Sequence, residues 1–183
     1  GDYERFFTKT VQVSSAVSVI EYYSATNDHY FMTADIDEIA IIDRGGMGDW
    51  KRTGQVFHAW TKASDAPPGA VPVCRFYARG PNSHFYTASP QECSDLKALE
   101  VSQKADSKSR GQPFLGWGFE MTAFYALLPQ GGACFPGLQL VYRAYNNRAL
   151  QMDSNHRSRT NADVRAAMNA SWVDEGAHLC VAS

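Results

Sequence analysis

Three histidines stand out as residues that could do chemistry. His29, His84 and His156 follow short polar turns at Asn27-Asp28, Asn82-Ser83 and Ser154-Asn155, and each leads into an extended run ending at Thr33, Thr87 or Thr160. The match is approximate, because the spacing from His to Thr is four, three and four residues. An imidazole next to an aromatic ring suits a sugar, which offers hydroxyls to hydrogen-bond and an apolar face to stack on. Tyr30 and Tyr86 supply such rings in the first two runs, and the lengthened third turn carries Asn146, Asn147, Arg148, Asp153 and Asn155. The candidate ligand-binding residues are therefore His29, Tyr30, His84, Tyr86, Arg148, Asn155 and His156. Several such sites on one chain would gain avidity on a polymer.

The competing reading is structural: each histidine satisfies a turn or a carbonyl while the neighbouring rings fill the core. A third reading brings the three imidazoles together on a metal. Carboxylates do not recur at matching offsets, so no metal and no cofactor is expected. Trp50, Trp117 and Trp172 also recur, and a core role is expected for them. Arg75 and Arg143 recur where the first run has Glu21, suited either to solvated strand ends or to pairing with acidic groups.

Signs of catalysis are sparse. The chain lacks G-x-S-x-G, H-E-x-x-H, a phosphate-cradling loop and a dinucleotide fingerprint in strand-helix context. Ser94 and Lys97 match S-x-x-K by spacing only, without the partner motifs. Carboxylate pairs such as Asp35 with Asp37, or Asp174 with Glu175, could serve a glycosidase, but sequence does not place them across a cleft. Asn169-Ala170-Ser171 is a glycosylation sequon that matters only in a eukaryotic secretory host.

The elements that must position these residues repeat. Segments beginning near Val19, Val73 and Leu140 share one order of landmarks: aromatic strand, polar turn, His to Thr, helix, Trp, closing strand. Alternation at residues 19–23 and 73–77 predicts half-buried strands. Ser89-Pro90-Gln91-Glu92 forms a capping box with Pro at the first helical position, and Asp35 precedes Glu38 by three. Apolar positions at Ile36, Ile39 and Ala40, and at Val164, Ala167 and Met168, predict short amphipathic helices. Residues 100–111 read as a mobile polar insertion, and residues 6–18 as a strand.

With 183 residues, 44% hydrophobic and 20% charged, the chain suits one well-filled domain. Seventeen basic against nineteen acidic residues, without a basic block, argue against nucleic acid as a partner. No apolar run reaches the roughly 18 to 20 residues needed to span a bilayer. The four cysteines, Cys74, Cys93, Cys134 and Cys180, contain no C-x-x-C pair. Two disulfides in an oxidising compartment are the simpler reading, with Cys74 to Cys93 and Cys134 to Cys180 favoured over the other two connectivities.

These landmarks, above all RFYARGPNSHFYTASPQEC, resemble a tandem repeat domain of unknown function found in secreted bacterial and fungal proteins, some of which carry peptidase or cell-wall amidase domains. The resemblance covers residues 19–181 and implies an extracellular accessory domain. Ser158 departs from it, standing where an aromatic is expected. The expected fold is α+β: one compact domain, residues 1–183, of three divergent strand-rich repeats at about 19–60, 73–127 and 140–181, each with one short helix, in a pseudo-threefold arrangement. The expected function is non-catalytic binding of a carbohydrate or cell-surface polymer by a secreted or cell-surface monomer. A glycan- or peptidoglycan-directed hydrolase and a structural or protein-interaction domain are the alternatives.

Overall fold

A computed structural model of the chain describes residues 15–160, 165, 166, 168 and 171–183. Residues 6–14 of the strand expected within residues 6–18 lie outside these residues, and its end, residues 17 and 18, opens the first strand; most of the third helix after Thr160 and Asn169 and Ala170 of the sequon also lie outside them.

Nine strands and two α-helices are described: β1 (Val17–Ser24), β2 (His29–Thr33), α1 (Ile36–Asp43), β3 (Lys51–Ala59), β4 (Val71–Ala78), β5 (Ser83–Thr87), α2 (Pro90–Ser109), β6 (Trp117–Ala126), β7 (Leu138–Tyr145), β8 (His156–Arg159) and β9 (Val173–Ala182). Six strands form one sheet in the order β2-β1-β3-β9-β7-β8, and three form another in the order β5-β4-β6. The architecture is thus β-rich, with two helices and two sheets, in keeping with an α+β class.

Each of β1, β4 and β7 pairs antiparallel with the strand after it and with a later closing strand. The first two hairpins turn through Asp28 at φ 53° and Asn82 at φ 49°, a left-handed conformation that Asp and Asn tolerate better than other side chains. The closing strands meet: His58 pairs with Ala182, and bridges join Trp60 to Tyr125 and Leu127 to Cys180. The largest core draws Val19 and Phe57, Val73 and Phe124, and Val141 and Leu179 from the three strand groups. Alternation along each strand sends these residues to one shared interior.

Both helices begin as their capping residues dictate. Asp35 accepts the backbone N–H groups of Asp37 and Glu38 at 2.9 and 3.0 Å, and Ser89 accepts that of Glu92 at 3.2 Å. The polar stretch 100–111 is a correction: it is largely helix, because α2 continues to Ser109. Its Glu, Lys, Gln and Ala residues are good helix formers. Glu100 also ties the helix to β6 by accepting the N–H of Phe119 at 2.8 Å, and Lys97 lies 3.8 Å from the centre of the Phe119 ring.

Cys74 is bonded to Cys93, joining β4 to α2, and Cys134 to Cys180 on β9. These disulfides are compatible with an extracellular protein. Among the described residues no helix is long and apolar enough to cross a membrane.

Candidate functional site

Strand register decides which histidines correspond. His84 stands opposite Tyr77 and His156 opposite Tyr145, whereas His29 stands opposite Ser24. Tyr30, opposite Tyr23, is the positional match of His84 and His156. A shift of one residue turns a side chain to the other face of a strand, so His29 points elsewhere.

His29 is buried where the three hairpin ends converge. Its Nε2 lies 2.7 Å from a carboxylate oxygen of Asp153 and its Nδ1 3.2 Å from the carbonyl oxygen of Asn82. Asn155, fully buried, accepts the N–H of Tyr30 at 2.7 Å and donates to the Tyr30 carbonyl at 3.0 Å and to the Ser83 hydroxyl at 2.9 Å. Arg148 pairs with Asp28 at 2.9 Å and Asp153 at 3.0 Å. Three of the sequence candidates thus bind one another's elements, and buried polar groups satisfied in this way fix a unique packing. No group of His, Cys, Asp or Glu suited to a metal occurs among the described residues.

A second layer of pairs links each strand group to the next. Arg75 is bonded to Glu38 at 2.8 and 3.2 Å and to Glu120 at 2.8 Å, and its guanidinium lies 5.4 Å from the Phe31 ring centre. Arg143 pairs with Glu92 and Glu175 and lies 4.8 Å from the Phe85 ring centre. Glu21 holds Arg157, which occupies the register position of Phe31 and Phe85, at 2.8 and 2.9 Å. The recurring arginines are therefore buried or half-buried ion-pair partners across strand groups, not solvated strand ends.

Between the first and second strand groups lies a cleft of about 540 Å³, within the range of small-ligand pockets. Its rings form a row: Trp50 lies 5.8 Å from Phe31, Phe31 4.7 Å from His84, and His84 5.0 Å from Tyr77. Asn27, Asp49, Asn82 and Glu120 supply its polar groups, with Met47 on its wall. After α1, glycines with positive φ at Gly45 and Gly48 turn the chain back so that Asp49 and Trp50 face the cleft. Asp49 is fixed over the first hairpin, accepting the Ser24 hydroxyl at 2.5 Å and the Thr26 N–H at 2.8 Å. At the other side the Tyr77 hydroxyl donates to Asn82 at 2.8 Å.

The charge state of the cleft follows from these bonds. The Ser24 hydroxyl and Thr26 N–H bring the Asp49 carboxyl down to about 2, so it is an anion at neutral pH. Burial alone would raise Glu120, but His84, at 3.3 Å, and Arg75 outweigh it and hold the carboxyl below the usual range. Among the described residues no Lys, Arg or His side chain forms an ion pair with Asp49.

The corresponding place between the second and third strand groups is built differently. Gly80 packs close to Met152 and Leu115, and His156 stacks on Tyr145 at 4.8 Å and meets the Phe85 ring edge-on at 4.8 Å. A further depression of about 430 Å³ contains Glu92, Arg143, Glu175 and His178, but among the described residues no Phe, Tyr or Trp lines it.

Of the candidates read from sequence, His84 lines the large cleft. His29, Arg148 and Asn155 belong to the polar junction, and the Tyr30 ring lies 4.9 Å from that of Tyr23, tilted against it. Tyr86 is buried, its hydroxyl donating to the Met32 carbonyl at 2.5 Å. Sequence reasoning did not place Phe31, Asp49, Tyr77, Asn82 or Glu120 in the site. The recurrence of Trp50 after the first helix was the one signal that could have led there.

Residues 18–182 match the family described as Domain of unknown function (DUF5648). No curated protein and no solved structure matches the chain.

Proposed function

Since the chain belongs to that family of unknown function, whose description carries no activity to transfer, we propose from the cleft that it is a secreted, non-catalytic accessory module that binds a carbohydrate or cell-surface polymer. The observation that carries this reading is the row of Trp50, Phe31, His84 and Tyr77 rings in a cleft edged by Asn27, Asp49, Asn82 and Glu120. Rings offer stacking faces and the amides and carboxylates offer hydrogen bonds, the pairing a saccharide needs.

Common strand order and matching cross-strand pairs support reading the three strand groups as copies of one unit about a pseudo-threefold axis. On that reading the junction between the first and second groups serves as the binding site, whereas at the next one Met152 and Leu115 crowd Gly80. The module would then bind through one principal site, and avidity would come from the protein that carries it.

A glycan- or peptidoglycan-directed hydrolase is the second reading, and the Glu120–His84 pair at 3.3 Å is the observation in its favour. Such an enzyme needs a carboxylic acid kept protonated to donate to the leaving oxygen. Asp49 and Glu120 are both shifted the other way, toward the anion. Binding is therefore the reading the electrostatics favour.

A screen of the oxidised domain against glycans and cell-wall polymers tests it, with Trp50→Ala and His84→Ala as site variants and released reducing ends as the assay for hydrolysis. Saturable binding lost in folded site variants, without cleavage, is expected. Absence of binding to every polymer would return the domain to a structural role.

A further inference from the structure

The cleft combines a row of aromatic rings with more negative than positive charge. Asp49 has no cationic partner among the described residues, and its two oxygens are oriented by the Ser24 hydroxyl and the Thr26 N–H. Glu120 shares Arg75 with Glu38, so one guanidinium answers two carboxylates, and His84 is the other group that faces it. Among the described residues no Lys or Arg lines the cleft. A neutral sugar would leave this charge unanswered, and an acidic sugar would be repelled by it. A cation is favoured twice, by the carboxylates and by the negative faces of the partly exposed Trp50 and Tyr77 rings.

Building on the binding reading above, we propose that the ligand is a glycan carrying free amines, a polymer of unacetylated amino sugars, with an ammonium group seated at Asp49 and its sugar rings laid along Trp50 and Tyr77. The hydroxyls of such a sugar would find Asn27 and Asn82, which line the same cleft. Acetylation of the amine removes the charge and adds bulk, so the acetylated polymer becomes the poorer ligand. The cleft would thereby distinguish deacetylated from acetylated stretches of the same polysaccharide.

The test is calorimetric titration of the oxidised chain with short oligomers of glucosamine, of N-acetylglucosamine and of glucose, and with oligolysine of matching charge. The glucosamine oligomer is expected to bind roughly tenfold to a hundredfold tighter than its acetylated form, the span of a charge-assisted over a neutral hydrogen bond. Asp49→Asn is expected to erase that preference, and added salt to weaken the glucosamine oligomer alone. The salt titration uses the wild-type chain, so it decides the matter even if the variant fails to fold. Equal affinity for charged and neutral saccharides, unaffected by salt, would overturn the amine assignment and leave glycan binding intact. Oligolysine binding as tightly as the glucosamine oligomer would overturn the sugar class. Failure of every saccharide to bind would overturn the binding reading itself.

Discussion

Asn155 grips the main chain of Tyr30 on both sides, its Oδ1 accepting the N–H at 2.7 Å and its Nδ2 donating to the carbonyl at 3.0 Å, and so locks the third strand group to the first. The same amide reaches Ser83 at 2.9 Å, which brings the second group into the joint. Asn155→Ala strands a donor and an acceptor of Tyr30 in a part-buried joint. We expect a loss of about 2–4 kcal/mol. Urea denaturation of the oxidised variant measures it, and a midpoint within error of wild type would show that the joint is not needed for stability.

Strands, turns and helix starts were legible because their causes are local. Alternation set residues 19–23 and 73–77 as strands, Asp28 and Asn82 took the left-handed turn positions, and Asp35 and Ser89 capped the helices. The length of α2 was not legible, since a helix whose far half is polar carries no apolar period to read. The histidine register was hidden by a one-residue offset that becomes plain only when Ser24 faces His29 and Tyr77 faces His84. The cleft was hidden for a deeper reason: Asp49 comes from the turn after α1 and Glu120 from β6, and no local pattern says that those segments meet.

Tyr86 separates packing from binding. It follows His84 closely in sequence, yet its hydroxyl donates to the Met32 carbonyl at 2.5 Å inside the core and it does not line the cleft. Tyr86→Phe should cost about 1–3 kcal/mol, since the hydroxyl both donates to the Met32 carbonyl and accepts the Met32 N–H at 3.4 Å, and both partners lose it. Affinity for any ligand of the cleft should stay as in wild type. Parallel thermal melts and binding isotherms check both halves, and a variant with unchanged melting but lost binding would place Tyr86 in the site.

The two disulfides should contribute unequally. Cys134 and Cys180 are 46 residues apart and Cys74 and Cys93 are 19 apart, so the former closes the longer loop in the unfolded chain. Loop-closure entropy assigns about 4 kcal/mol to the longer and about 3 kcal/mol to the shorter. A Cys134→Ala, Cys180→Ala variant is expected to melt lower than a Cys74→Ala, Cys93→Ala variant, and full reduction lower than either. The reverse order would mean that the link from β4 to α2 matters more than loop length.

His156 gives the fold a dependence on pH that can be isolated. Burial, and then the nearby charge of Arg143, bring its imidazole down from 6.5 to about 3. The folded ring is therefore neutral where the unfolded ring gains a proton. Its contribution is fully present above about pH 6.5 and is lost as pH falls toward 3, at about 1.4 kcal/mol per pH unit well inside that window. His178, also lowered by burial, acts in the same direction. Other groups titrate too, so the quantity to measure is the difference between wild type and His156→Phe, which keeps a ring beside Tyr145 and Phe85 but takes no proton. Urea midpoints followed from about pH 7 to about pH 5 should show wild type losing ground to the variant as acid is added. If the two curves stay parallel, the ring does not titrate on unfolding as its burial requires, and its packing against Tyr145 and Phe85 is wrong.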